Sequence, residues 1–211
     1  MNTININDAK NMLIYVADKI IESKPYLTEV DSAIGDGDHG IGMAGGMEKA
    51  KKKLLSRDDF TSVYEVFEVA GKEMLMSMGG ASGVIFGSLY LAGAKGMEKR
   101  PELTGKDFAE MERKSLAAIK ERGKAEIGDK TMVDALEPAV IALEEHSEES
   151  LLEMFKKAEA AAKDGVEKTK DYQAKYGRAK SLLERAIGHQ DAGATSVWII
   201  FRSMREYIEM H

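Results

Sequence analysis

The chain has 211 residues, 44% of them hydrophobic and 31% charged, with no cysteine. That is the balance of a folded protein of one or at most two domains, without disulfides or thiolate metal sites, at home in a reducing compartment. With 30 basic and 36 acidic residues its net charge is −6, which offers no electrostatic footing for nucleic acid or an anionic membrane.

No basic-then-apolar leader opens the sequence, and no stretch reaches the roughly 18 apolar residues of a spanning helix. A soluble cytoplasmic protein is the expectation. Apolar residues recur at helical spacing almost everywhere, without a period-2 run of useful length. Leu13, Val16 and Ile20 form the first stripe, expected to end before Pro25 in a Gly- and Asp-rich loop. A basic helix through Met47 and Leu54 follows, with Lys49, Lys51, Lys52 and Lys53 as a solvated face. Asp58 or Asp59 is suited to cap the next helix, which aligns Val63, Phe67, Ala70, Met74 and Met78. Gly79 and Gly80 stop it, and a small-residue helix over about 82–97 comes next. Thr104 begins another, with Phe108, Met111 and Ile119 inward and Gly123 as its stop. Helices over 131–143 and about 149–170 follow, and a last one carries Val197, Ile200, Phe201, Met204 and Ile208. About eight helices on mostly short connections suggest up-and-down antiparallel neighbours. Without a repeat or a domain-sized linker, the whole of 1–211 reads as a single domain.

Four connections are not ordinary turns. Residues 30–46, 78–87 and 176–196, with a smaller partner at 123–131, are rich in Gly and carry Asp and His. The first places Asp31, Asp36 and Asp38 close together, separated by glycines. Crowded carboxylates repel unless protonated or neutralised by a cation, and oxygen-only ligands select Mg²⁺ or Ca²⁺. An EF-hand count from Asp36 fails, with Ile41 where glycine is required. Gly35, Gly37 and Gly40 fit a dinucleotide fingerprint by spacing, but no strand leads in. A ligand-free surface turn reads equally from the spacing. The run Gly79-Gly80-Ala81-Ser82-Gly83 opens a helix with free amides suited to phosphate; a tight helix crossing is the competing reading. Arg178 can pair bidentately with phosphate, and Asp191 can cap the last helix. Residues 123–131 narrowly miss a P-loop, with one residue too many before Lys130.

Taken together, Gly35-Asp36-Gly37-Asp38-His39-Gly40, Gly79 to Gly83, Arg122-Gly123-Lys124-Ala125, Gly128-Asp129-Lys130-Thr131-Met132 and Gly188 to Ser196 resemble the nucleotide-binding L subunits of bacterial, phosphotransferase-system-dependent dihydroxyacetone kinases. The resemblance covers essentially the whole chain. It implies an all-α fold, a closed antiparallel barrel of about eight amphipathic helices with the nucleotide at one rim. It further implies ADP held as a cofactor with two Mg²⁺ ions, rephosphorylated to ATP by a phosphotransferase-system phosphocarrier, the M subunit. The phosphoryl group then passes to dihydroxyacetone on a K subunit. Carried over residue by residue, Asp31, Asp36 and Asp38 are the metal ligands. His39, Gly40, Ile41, Gly42, Ala81 and Ser82 lie by the phosphates, and Gly123 and Met132 by the adenine. Arg178 is the phosphate-region arginine, and Asp191, Ala192 and Gly193 belong to the nucleotide lid. No base or nucleophile is assigned, because phosphoryl transfer needs positioning and charge neutralisation more than a protein nucleophile. Three positions depart from the family pattern: Ala192 for proline, Gly42 for asparagine, and Val84-Ile85 for Pro-Leu. Two other readings are a Mg-nucleotide-dependent module docking a transcription regulator, and a kinase module for another acceptor such as a fatty acid.

Overall fold

A computed structural model describes residues 2–211. The described residues form nine α-helices: α1 (Ile6–Glu22), α2 (Lys24–Ser32), α3 (His39–Leu55), α4 (Val63–Ser77), α5 (Gly80–Leu91), α6 (Gly105–Gly123), α7 (Val133–Glu145), α8 (Leu151–Lys168) and α9 (Ala192–Met210). Two dipeptide strands, β1 (Ile4–Asn5) and β2 (Glu102–Leu103), pair antiparallel with Ile4 opposite Leu103. The all-helical class expected from the periodicity holds. No helix of the described residues is long and apolar enough to cross a membrane.

The helices pack as sequence neighbours. α1 lies on α3, each helix from α3 onward lies on the next, and α9 returns to α1. α2 sits outside that series, against α3 and α9. Their apolar faces meet in one core that includes Met12, Val16, Met43, Phe67, Phe108, Phe155 and Phe201. Phe108 links two neighbours, with ring centroids 6.0 Å from Phe67 and 4.9 Å from Phe155. Close crossings rely on glycine: a Cβ on Gly165 of α8 would stand 2.1 Å from the Asp134 carbonyl of α7.

Several expected boundaries move, each for a local reason. Pro25 does not lead into a loop. It occupies the first turn of α2, where its missing N–H costs nothing, so α2 is an additional helix and the acidic loop shrinks to 33–38. Asp58 and Asp59 do not cap α4. They pair with Lys10 at 2.5 Å and Arg57 at 2.8 Å, and Ser62 precedes the helix. α5 starts at Gly80 and stops at Leu91, short of Met97. Gly123 is the last residue of α6, and the left-handed position is Lys124, at φ 56°. Most of 178–186 is 3-10 helix rather than open loop.

Candidate functional site

The starts of α3, α5, α7 and α9 meet at one end of the molecule, around a cleft of about 780 Å³. The starts of α1, α4, α6 and α8 lie at the other. There Ile4 pairs with Leu103 just before α6, and the amide of Val63 donates to the Arg100 carbonyl at 2.9 Å. The first amides of a helix have no partner within it and carry partial positive charge. Among the described residues the α5 start meets no side-chain cap, which makes that end attractive to an anion, whereas first-turn amides of α3, α7 and α9 donate to Asp31, Thr131 and Asp191.

On one side lies the acidic loop. Asp31 is in the last turn of α2, Asp36 in the loop, and Asp38 precedes α3. Gly35 folds back so that its amide donates to the Asp31 carbonyl at 2.5 Å, and a Cβ there would sit 2.5 Å from Asp31 Oδ1. Gly37 takes φ 77°, which glycine adopts without strain. The result is one carboxylate oxygen from each aspartate within 4.8 Å of the others. Opposite oxygens around Mg²⁺ or Ca²⁺ stand about 4–5 Å apart, so the set fits a hard divalent cation. Burial raises the Asp38 carboxyl above its usual range, and the charges of Asp36 and Asp31 add to the effect. Arg178 forms an ion pair with Asp36 across the cleft. His39 is held by Ser196, with Nε2 to Oγ at 2.8 Å, and lies beside the Phe86 ring. Burial lowers its pKa, against the opposing charge of Asp31, which favours the neutral imidazole.

The glycine-rich start of α5 faces the acidic loop. Gly80 has φ 67°, Ala81 and Ser82 are exposed to the cleft, and among the described residues no side chain caps this helix. Gly83 answers to packing instead, since a Cβ there would lie 2.4 Å from the Met78 carbonyl. The tight-crossing reading of this run applies at Gly83, while the uncapped amides lie at the residues just before it. At α9, Asp191 caps the helix by accepting from the Ala194 amide at 2.7 Å, and desolvation pushes its carboxyl up to about 7. Buried Asp134 accepts from the Gly128 amide at 2.6 Å and the Thr131 amide at 2.7 Å, which fixes the approach to α7. A small apolar cluster of Ile34, Ala174 and Ala186 seats the 174–187 segment beside the acidic loop.

Of the residues expected at the site, the cleft is lined by Asp31, Asp36, Asp38, His39, Ile41, Gly42, Ala81, Ser82, Met132, Arg178, Asp191, Ala192 and Gly193. Two lie behind its wall. Gly40 is buried against α2, where a Cβ would meet the Lys24 carbonyl at 2.5 Å, and Gly123 backs onto Ile85, 3.6 Å from its Cδ1. The lining also takes in Lys130, Phe86 and Tyr176, which sequence reasoning left out of the site. Lys130 had a signal in the near-P-loop run; Phe86 and Tyr176 had none.

A model of the DAK2 domain matches residues 33–206. The chain is 37% identical over 196 residues to the ADP-binding subunit DhaL of the PEP-dependent dihydroxyacetone kinase of Escherichia coli K12, covering 92% of this chain and 93% of the relative. It is 36% identical to the DhaL subunit of the PTS-dependent dihydroxyacetone kinase of Lactococcus lactis subsp. lactis IL1403, covering 90% and 92%. Among solved structures it resembles the dihydroxyacetone kinase of C. freundii in complex with AMP-PNP and Mg²⁺, with a TM-score of 0.73 and 25% identity. That match takes in 94% of this chain and 33% of the kinase. With a family model spanning most of its length and nearly full-length relatives of one kind, the chain belongs to the DAK2 domain family, alongside the DhaL-type subunits of dihydroxyacetone kinases.

Proposed function

We propose that this chain is the nucleotide-carrying subunit of a dihydroxyacetone kinase. In this reading it holds ADP with two Mg²⁺ ions as a resident cofactor and accepts a phosphoryl group from a phosphotransferase-system phosphocarrier. It hands that group to dihydroxyacetone on a separate K subunit, giving dihydroxyacetone phosphate in the cytoplasm. The observation that carries the reading is the cleft itself: three carboxylate oxygens within 4.8 Å of one another, facing the open amides of helix starts. Carboxylates alone would repel a diphosphate, and amides alone would not explain the acidic loop; a metal-bridged nucleotide satisfies both. The names of the full-length relatives, ADP-binding subunits of PEP- or PTS-dependent kinases, point the same way.

Asp31, Asp36 and Asp38 would hold the metal ions, whose contribution when bound is to neutralise phosphate charge. Gly40, Ile41, Ala81 and Ser82 present amides of α3 and α5 to the phosphates, Gly40 through its backbone alone, with His39 and Gly42 alongside, whose own amides donate to Asp31 and to the Asp38 carbonyl. Arg178, already reaching Asp36, supplies a guanidinium fork next to the same place. Met132 gives an adaptable apolar surface for the adenine, with Ile85 also lining the cleft and Gly123 against Ile85. Asp191, Ala192 and Gly193 close the cleft below the 174–187 segment. None of these groups acts as base or nucleophile; the chain positions and neutralises. The unbroken order of helix contacts, with α9 returning to α1, supports a closed antiparallel barrel spanning 1–211 as one domain. Reconstitution tests the reading: chain, K subunit, phosphocarrier and phosphoenolpyruvate together should convert dihydroxyacetone to its phosphate, and omission of the chain should abolish turnover. No product with all partners present overturns it.

A further inference from the structure

The run 123–131 looks almost like a P-loop, and a lysine in that setting would be expected to meet phosphate. Lys130 does not. It is 2% exposed, its backbone is left-handed at φ 59°, and its ammonium is spent on backbone carbonyls. Nζ donates to the Thr169 carbonyl at 2.5 Å and to the His189 carbonyl. One side chain from the α6–α7 connection thus ties together the exit of α8 and the approach to α9.

The ties continue to the cleft. The Thr169 hydroxyl accepts from the Asp191 amide at 2.9 Å while donating to the Val166 carbonyl at 2.6 Å. The Gly188 amide donates to the Lys170 carbonyl at 2.7 Å. Asp191, so held, caps α9 through the Ala194 amide. Gly193 follows within close packing distance of Met132, two residues beyond Lys130; a Cβ on it would lie 3.3 Å from Met132 Cβ. An apolar side chain would fill the same space without the cost of burying an ammonium. What it would not do is bind two carbonyls of different segments at once.

We infer that Lys130 is a positioning residue that sets the start of α9, and with it the Asp191–Gly193 wall of the cleft. Its consequence for ligand affinity rests on the nucleotide-binding function proposed above. The test compares wild type, Lys130→Met, and Lys130→Cys aminoethylated while unfolded and then refolded. The chain has no other cysteine, so the chemistry rebuilds a lysine analogue at that position alone. Mg²⁺–ADP affinity is read by calorimetry, helicity by circular dichroism, and exchange of the 188–194 amides by mass spectrometry without nucleotide. Lys130→Met should keep its helicity, bind Mg²⁺–ADP about tenfold more weakly (about 1.4 kcal/mol) and exchange those amides about tenfold faster. The aminoethylated variant should return to within about threefold of wild type on both readings. Unchanged affinity and exchange in Lys130→Met, or no recovery on aminoethylation, overturns the inference. Should Lys130→Met fail to fold, Thr169→Val removes the next tie and should loosen the same amides about threefold; unchanged exchange there counts equally against it. If wild type itself binds no Mg²⁺–ADP, the proposed function falls, and the exchange data alone decide the role of Lys130.

Discussion

Helix starts at the two ends of the bundle are met in different ways, most clearly at α6 and α5. At the end away from the cleft, three of the four helix starts are closed by side chains, and α4 is not. Asn5 and Thr104 each form a reciprocal capping box, with Asp8 and Asp107, and Ser150 caps α8. At the cleft, Asp191 caps α9 and the His39 amide of α3 donates to the Asp31 carboxylate at 3.3 Å, while among the described residues no side chain caps α5. An unfilled start costs stability unless something else meets its amides. The sharpest contrast is between the boxed start of α6 and the uncapped start of α5. At the start of α5, Gly79, Gly80, Ala81 and Ser82 leave the amides uncovered by any bulky side chain.

That contrast can be broken from either side. The largest effect belongs to the cleft end: Asp38→Ala should remove bound metal and nucleotide while circular dichroism still reports the helices. Nucleotide retention unchanged by Asp36→Ala or Asp38→Ala, in metal analysis and mass spectrometry of purified protein, would deny these residues a ligand role. Glu112 of α6, 3% exposed and with one carboxylate oxygen unpartnered, probes the interior instead. Desolvation raises its carboxyl from 4.5 to about 8. The folded chain therefore keeps a proton that the unfolded chain has released between those values, so stability falls as pH rises through that window and is fully present below it. Glu112→Gln should flatten the fall and raise Tm at pH 8, by about 2–4 °C for each kcal/mol recovered, with nucleotide affinity unchanged. An identical pH–Tm profile in the variant would sink that account. The smallest effect is expected at the capped end. Thr104→Ala should cost about 1 kcal/mol of stability and leave Mg²⁺–ADP affinity as it was; a change in affinity would erase the distinction between the ends.

Legibility in the sequence followed the same division. The helical class could be read from periodicity, because one apolar face per helix is what the core demands. Thr104 was visible as a start because capping is a local interaction. α2 was not, because Pro25 breaks a helix interior but suits a first turn, and only the chain's return toward α3 decides between them. Asp58 and Asp59 have the right chemistry for a cap and lie near the right place, but Lys10 and Arg57 claim them. In the site, the acidic loop and the glycine-rich start were legible because a few neighbouring residues carry them. Lys130 was visible as an oddity and its role was not, since both of its acceptors lie far along the chain. Tyr176 and Phe86 reach the cleft through tertiary packing that leaves no trace in local spacing.

We propose that the open start of α5 and the acidic loop together retain a metal-bridged nucleotide. Mass spectrometry and metal analysis of the purified chain test it most directly. The expected result is co-purifying ADP with Mg²⁺, and rebinding to stripped protein only when Mg²⁺ is supplied. Nucleotide-free protein that takes up ADP only at millimolar concentration, or equally well without Mg²⁺, would contradict it.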